Sequence, residues 1–196
     1  MKKANERSVG DLVDPLNSVL AGRRSEAVGV LRADGEYRLV TLRSVDAGER
    51  LFRMEGEEMS RPSRYSVQLA EDLHLDLEGG QSMEEILDRY YWRFMNHSCE
   101  PNSCIRERDV YALRAVEPWE NVTFDYNTTE YEMAEPFECR CASRGCLKQI
   151  RGFKHLTDPQ RRRIEPLLIP YLRNYLHRPL CQAGWADPRD SNVPTV

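Results

Sequence analysis

A short run of cysteines constrains this chain more than any other feature: Cys139-Arg140-Cys141-Ala142-Ser143-Arg144-Gly145-Cys146. Three thiols in a Cys-x-Cys-x4-Cys spacing can wrap one tetrahedral zinc ion, but a closed structural site needs a fourth ligand. Cys99 is the obvious candidate, because it lies in a separate polar string and has no other evident partner. A zinc held by Cys99, Cys139, Cys141 and Cys146 ties two distant segments together. It adds directly to the folding free energy of a stretch with few apolar residues of its own. The remaining cysteines, Cys104 and Cys181, fall outside this set; Cys104 reads as a buried thiol.

A disulfide framework is the weaker reading of six cysteines here, because the rest of the chain looks intracellular. No apolar run approaches the ~20 residues that span a bilayer. The opening Met1-Lys2-Lys3-Ala4-Asn5-Glu6-Arg7 meets charge where a signal peptide would place its apolar core. The expectation is an intracellular protein with no membrane partner, cytoplasmic or, in a eukaryote, nuclear. With 196 residues, one packed core is the natural size. A net charge of −4 argues against the broad positive surface that direct nucleic-acid binding needs. Glu55, Glu57, Glu58, Glu71, Asp72, Asp76 and Glu78 concentrate carboxylates in one stretch; this suits a basic peptide partner but is more simply a solvated face.

Patterning predicts a mainly β fold with short helices. Residues 1–25 read as a loosely attached lead-in. Strands are expected at Ala27 to Leu31, at Tyr37 to Val45 after a turn at Asp34-Gly35, at Arg50 to Met54 and at Ser66 to Ala70. Ser82-Met83-Glu84-Glu85 has the form of a capping box, and Met83, Ile86, Leu87, Tyr90, Tyr91 and Phe94 follow at helical spacing, so one helix should run directly into Asn96. Further strands are expected at Ser103 to Arg106, Val110 to Val116 and Val122 to Asp125. Thr157-Asp158-Pro159 opens a helix that Pro166 and Pro170 divide in two. Arg161-Arg162-Arg163 reads as a solvated helix face, His74, His155 and His177 as ordinary structural or surface residues, and the chain from Ala183 as frayed.

Two further strings carry chemistry. In Arg93-Phe94-Met95-Asn96-His97-Ser98-Cys99-Glu100-Pro101-Asn102, a helix runs into a polar turn. Asn, His and Ser there offer donors and acceptors in little space, enough to read a nucleoside, although such a turn can also be purely structural. Val122-Thr123-Phe124-Asp125-Tyr126 is a strand ending in a tyrosine, which taken alone is a half-buried core residue.

In this order, the asparagine-histidine-serine-cysteine-x-proline-asparagine string, the strand ending in Asp-Tyr and the cysteine cluster resemble the SET-domain family of protein-lysine methyltransferases with a post-SET zinc segment. The resemblance is strong from Tyr91 to Phe153 and extends more weakly back to Leu39. It implies a β-clip-like fold of small twisted sheets with a knot-like C-terminal segment, divided as a SET domain over 26–130, a post-SET segment over 131–155 and a C-terminal helical extension and tail over 156–196. It further implies S-adenosylmethionine as cofactor, contacted by Asn96 and His97 with Arg93 and Phe94 beside them, and Tyr126 as the catalytic residue in a narrow channel where cofactor and amine meet from opposite faces. Zinc would be bound by Cys99, Cys139, Cys141 and Cys146. Tyr65, Tyr90, Tyr91 or Tyr111 are further channel candidates.

The implied function is methyl transfer to a lysine side chain of a protein or peptide. The short region between Glu55 and Ser82 keeps two alternatives open: a small or carrier-bound amine as acceptor, and a zinc-stabilised binding module without turnover. The sequence departs from the family pattern in three places: no Gly-x-Gly turn near Gly29 and Gly35, Met54 in place of an early tyrosine, and Trp119-Glu120-Asn121 in place of a Gly-Glu-Glu turn.

Overall fold

A computed structural model describes residues 19–21, 25–33 and 35–176. The lead-in before residue 19, Asp34 of the expected turn, His177, Cys181 and the tail from Ala183 lie outside the described residues. Five small sheets and a few short helices make up the rest. The first sheet is antiparallel, in the order β1 (Val19–Ala21), β2 (Val28–Ala33), β3 (Glu36–Thr41). Its first strand belongs to a stretch expected to be loosely attached; Val19 pairs with Leu31 and Ala21 with Val30 across a bulge, so backbone hydrogen bonding holds what side-chain patterning did not reveal.

β4 (Arg50–Arg53) pairs with β10 (Asp109–Ala112), which pairs with β9 (Ser103–Arg106). A third sheet joins β5 (Glu57–Met59), β7 (Leu73–Asp76) and β6 (Val67–Ala70) in that order. Sequence patterning missed β5 and β7. All three residues of β5 are exposed, so no apolar face marks it as a strand, and β7 alternates too briefly to stand out from its acidic surroundings. Single bridges at Val40–Asn121 and Val45–Val116 tie β3 and the chain after it to the segment before the expected catalytic strand. Val28, Val30, Leu39, Met54, Leu75, Ile105 and Val110 form the core where these sheets face one another.

Helix α1 (Met83–Arg89) starts on the expected capping box: the Glu85 amide donates to Ser82 Oγ at 3.3 Å, and the Ser82 amide donates to Glu85 Oε2 at 2.8 Å. It does not run on to Asn96. The backbone turns at Tyr90 and resumes as one 3-10 turn, Tyr91–Phe94. The cause is burial on every side: Tyr90, Tyr91, Trp92 and Phe94 are all in the core, and an α-helix cannot bury consecutive residues around its whole circumference at a surface position. The Trp92 indole N–H donates to the Glu55 carbonyl at 2.8 Å and fixes the turn against the chain after β4.

Two helical segments follow the cysteine cluster, α2 (Asp158–Ile164) and α3 (Pro170–Arg173), separated at Pro166 as the sequence predicts. Leu156, Ile164, Leu168, Ile169 and Leu172 from this region enclose Phe153 in a second core. Arg161 departs from the expected solvated face. It is 6% exposed, its guanidinium lies 4.8 Å from the centre of the Phe153 ring, and Nη2 donates to the Lys154 carbonyl at 3.0 Å.

Candidate active site

The site is built where two short strands lie side by side. β8 (Asn96–His97) and β11 (Thr123–Phe124) pair in parallel, Asn96 opposite Thr123 and Phe124 opposite His97. Asn102 locks them together. Its Oδ1 accepts from the Thr123 amide at 2.9 Å, and its Nδ2 donates to the Asn121 carbonyl at 2.8 Å. An asparagine suits this place because it satisfies a donor and an acceptor of one passing backbone. The polar turn and the strand ending in tyrosine, separate in sequence, therefore become one structure.

Tyr126 follows β11 directly. Its ring is surrounded by Phe124 at 4.7 Å, His97 at 5.2 Å and Phe137 at 5.8 Å between ring centroids. Its hydroxyl donates to the Met95 carbonyl at 2.8 Å. Burial, reinforced by the nearby Glu130 carboxylate, raises the phenol above its ordinary value, so Tyr126 stays protonated at physiological pH. Because the proton is engaged by Met95, the phenol oxygen is left to act as an acceptor.

Tyr126 and Phe137 form a wall between two clefts. One, a cavity of about 470 Å3, is also lined by Tyr65, Trp92, Arg93, Met95, Phe124 and Glu130. The other, of about 520 Å3, is bordered by Glu36, Arg38, Asn96, His97, Thr123 and Cys139. Both fall in the range of small-molecule sites. The residues proposed for the cofactor are thus divided: Arg93 faces the first cleft, Asn96 and His97 the second, and Phe94 lines neither, its ring buried 5.6 Å from that of Tyr37. Of the further channel tyrosines, Tyr65 lines the first cleft with the Arg93 guanidinium 3.9 Å above its ring, while Tyr90 and Tyr91 are core residues and Tyr111 sits on β10 away from both clefts. The sequence reading overlooked Phe137 and Glu130, because neither belongs to a patterned string.

Four sulfur atoms meet beside this wall. Those of Cys99, Cys139, Cys141 and Cys146 all lie within 4.8 Å of one another, and Cys99 and Cys139 are 4.0 Å apart. Tetrahedral zinc with Zn–S bonds of about 2.3 Å places its sulfurs at this separation. The surroundings also fit bound thiolates: the Leu147 and Cys141 amides donate to Cys99 and Cys139 sulfur, each at 3.4 Å. The hairpin of β12 (Phe137–Glu138) and β13 (Gln149–Ile150) carries three of the four cysteines and delivers Phe137 to the wall.

His97 connects the cluster to Tyr126. Its ring is 2% exposed; Nε2 lies 3.2 Å from Cys99 sulfur, and Nδ1 accepts from the Tyr126 amide at 3.2 Å. These contacts assign the neutral tautomer with hydrogen on Nε2. Burial keeps the ring uncharged by pushing its pKa down to about 4. Asp125 beneath it is buried and raised to about 6 despite hydrogen bonds from Asn127.

Comparison with known proteins agrees with this architecture. Residues 36–127 match the family model of the SET domain. That match takes in just under half of the chain. A histone-lysine N-methyltransferase described as H3 lysine-36 specific, from Yarrowia lipolytica, is 26% identical over 152 residues, covering 69% of this chain and 20% of that protein. The histone-lysine N-methyltransferase ash1 of Drosophila melanogaster is 29% identical over 154 residues, covering 70% of this chain and 7% of that protein. The chain thus spans a fifth or less of the length of these two relatives. A crystal structure of KRYPTONITE with mCHG DNA and SAH overlaps 61% of this chain and 28% of that one at a TM-score of 0.46 and 19% identity, a likeness too loose to add to the sequence match. The match ends at the residue after Tyr126, so Cys99 lies inside it and Cys139, Cys141 and Cys146 lie beyond it, closing on it from the C-terminal side.

Proposed function

We propose that the chain is an S-adenosylmethionine-dependent N-methyltransferase acting on a lysine side chain of a protein, with histones as the first substrate class to test and the nucleus, where histones reside, as its place of action. The observation that carries this reading is Tyr126, held at the wall between two clefts inside a SET domain whose named relatives are histone-lysine methyltransferases. Roles for Arg93, Asn96 and His97 in holding the cofactor, with Phe94 as the packing behind them, belong to the same proposal.

When bound, S-adenosylmethionine supplies an electrophilic methyl group on a sulfonium sulfur. The task of the protein is then to aim a neutral amine at it, and positioning alone can supply much of the acceleration of an in-line displacement. Tyr126 suits this role: its oxygen, with its proton turned to Met95, accepts an N–H from the amine and so directs the nitrogen lone pair. The phenol keeps its own proton at physiological pH and so is not available as the base. Lysine, with an ordinary pKa of about 10.4, sheds its proton more readily among Phe124, Phe137 and Trp92 than in water, because burial disfavours the ammonium. Zinc, held by the four cysteines, would play a structural part, fixing Phe137 and Cys99 around the site.

The test is incubation of the zinc-analysed protein with methyl-labelled S-adenosylmethionine and core histones. Label on lysine is the expected result. If the protein neither binds the cofactor or its demethylated product nor labels any histone or lysine peptide, the proposal fails.

A further inference from the structure

The first cleft contains a carboxylate that the reaction described so far does not use. Glu130 lies four residues after Tyr126, lines the same cavity and is 7% exposed. Only one of its oxygens is occupied: Oε1 accepts from the Gln68 amide at 2.8 Å and from Thr129 Oγ1 at 3.2 Å. Gln68 returns the contact, its Oε1 accepting from the Tyr131 amide at 3.0 Å, so β6 and the chain after Tyr126 clasp each other and the carboxylate is fixed in place. Among the described residues no arginine, lysine or histidine forms an ion pair with Glu130, and Oε2 takes no hydrogen bond from them yet is not sealed from the cavity.

An ionised carboxylate held this deep without a counter-charge is costly. Burial accordingly raises Glu130 to about 7. Glu132, two residues on, is engaged by Lys154 and His155, and the cleft's own arginines are engaged elsewhere, Arg64 with Glu135 and Arg93 over Tyr65.

We propose that Glu130 is the ammonium-binding residue of this cleft, its carboxylate pairing with a primary ammonium group of a bound ligand. The inference rests on the methyltransferase reading, which supplies two sources of such a group: the amino-acid end of the cofactor and the side chain of the acceptor lysine as it enters, before it gives up its proton. A purely structural role would need only the acceptor at Oε1, and Glu130→Gln preserves that acceptor while removing the charge.

The experiment compares wild type with Glu130→Gln, using two pairs of probes. S-adenosylhomocysteine and its analogue lacking the α-amino group report on the cofactor source. A histone H3 peptide spanning lysine-36 and the same peptide with norleucine in place of that lysine report on the acceptor source. Loss of a charge-assisted contact weakens binding by about tenfold or more. If Glu130→Gln weakens S-adenosylhomocysteine to the level of its deaminated analogue, the cofactor is the source. If it instead weakens the lysine peptide to the level of the norleucine peptide, the acceptor is the source. Wild-type and variant proteins that bind all four probes alike overturn the inference and leave the methyltransferase reading standing. Should the Gln variant prove unstable, Glu130→Asp, which keeps the charge but withdraws it, provides a second comparison and is expected to fall between the two.

Discussion

Tyr126 and Glu130 face one cavity with opposite requirements. The tyrosine is locked by its hydrogen bond to Met95, and replacement by phenylalanine removes that bond while leaving the ring among Phe124, His97 and Phe137. Tyr126→Phe should therefore lower methyl transfer by about ten- to a hundredfold, the scale of a misaimed reactant, while calorimetric affinity for S-adenosylhomocysteine stays close to wild type. Equal turnover by the variant removes Tyr126 from the chemistry. Glu130 makes a different prediction. Its folded pKa of about 7 exceeds the ordinary glutamate value of about 4.3, so the unfolded chain ionises first and unliganded stability falls as pH rises from about 4.3 to about 7. The loss is on the order of 3 to 4 kcal/mol, and Glu130→Gln should abolish this part of the pH dependence. Urea denaturation at pH 5 and pH 8 checks it: the variant gains on wild type at pH 8 and not at pH 5. A protein stabilised by losing a carboxylate that its ligand needs would show a site kept at the expense of stability.

At the level of elements, the structure shows what the sequence could and could not reveal. The capping box at Ser82 and the strand at Ser103–Arg106 were legible because each carries its own local chemistry or alternation. The four-cysteine set was legible because a ligand sphere demands a fourth donor. The 3-10 turn at Tyr91–Phe94 was not, since helical spacing in the aromatic run reflects burial on all sides and not one face. Nor was the conformation of Trp119, a bulky residue held at φ 69°, in the left-handed region that favours glycine. Glu130 was hidden for a simpler reason: an isolated glutamate has no pattern, and only the fold makes it a buried one. Gly152 illustrates how tightly the elements close. At φ 102° it follows β13, and an added Cβ would lie 2.7 Å from Glu132 Cα and from the Tyr131 carbonyl oxygen. Those are backbone atoms that cannot swing aside, so Gly152→Ala should cost about 3 kcal/mol or more, read as a lowered urea midpoint. A small loss would mean that the junction between the cysteine hairpin and the Phe153 core yields more easily than its packing implies.

For the whole molecule, three cores share one boundary. The sheets supply the first and Phe153 with its helical neighbours the second, while the third consists of little more than Cys99, Cys139 and Ile150 with a few half-buried residues around them. So small an apolar cluster cannot hold a hairpin against chain entropy, and zinc is expected to do most of that work. Two of the thiols resist the charge this needs: burial raises Cys99, and raises Cys139 to about 11, so both are protonated at neutral pH until the metal displaces their protons. Zinc binding at pH 7.5 should therefore release about two or more protons per ion, measurable by calorimetry in buffers of different ionisation enthalpy. Chelation, or Cys141→Ser, should raise amide exchange in residues 137–150 and at 96–99 while the sheet of β2 and β3 keeps its protection. Because His97 joins Cys99 sulfur to the Tyr126 amide, the disturbance should reach the active site, and affinity for S-adenosylhomocysteine should fall with the metal. If the metal leaves and exchange rises only within the hairpin, with ligand affinity unchanged, then the cluster merely closes the chain and the His97 contact carries nothing between them.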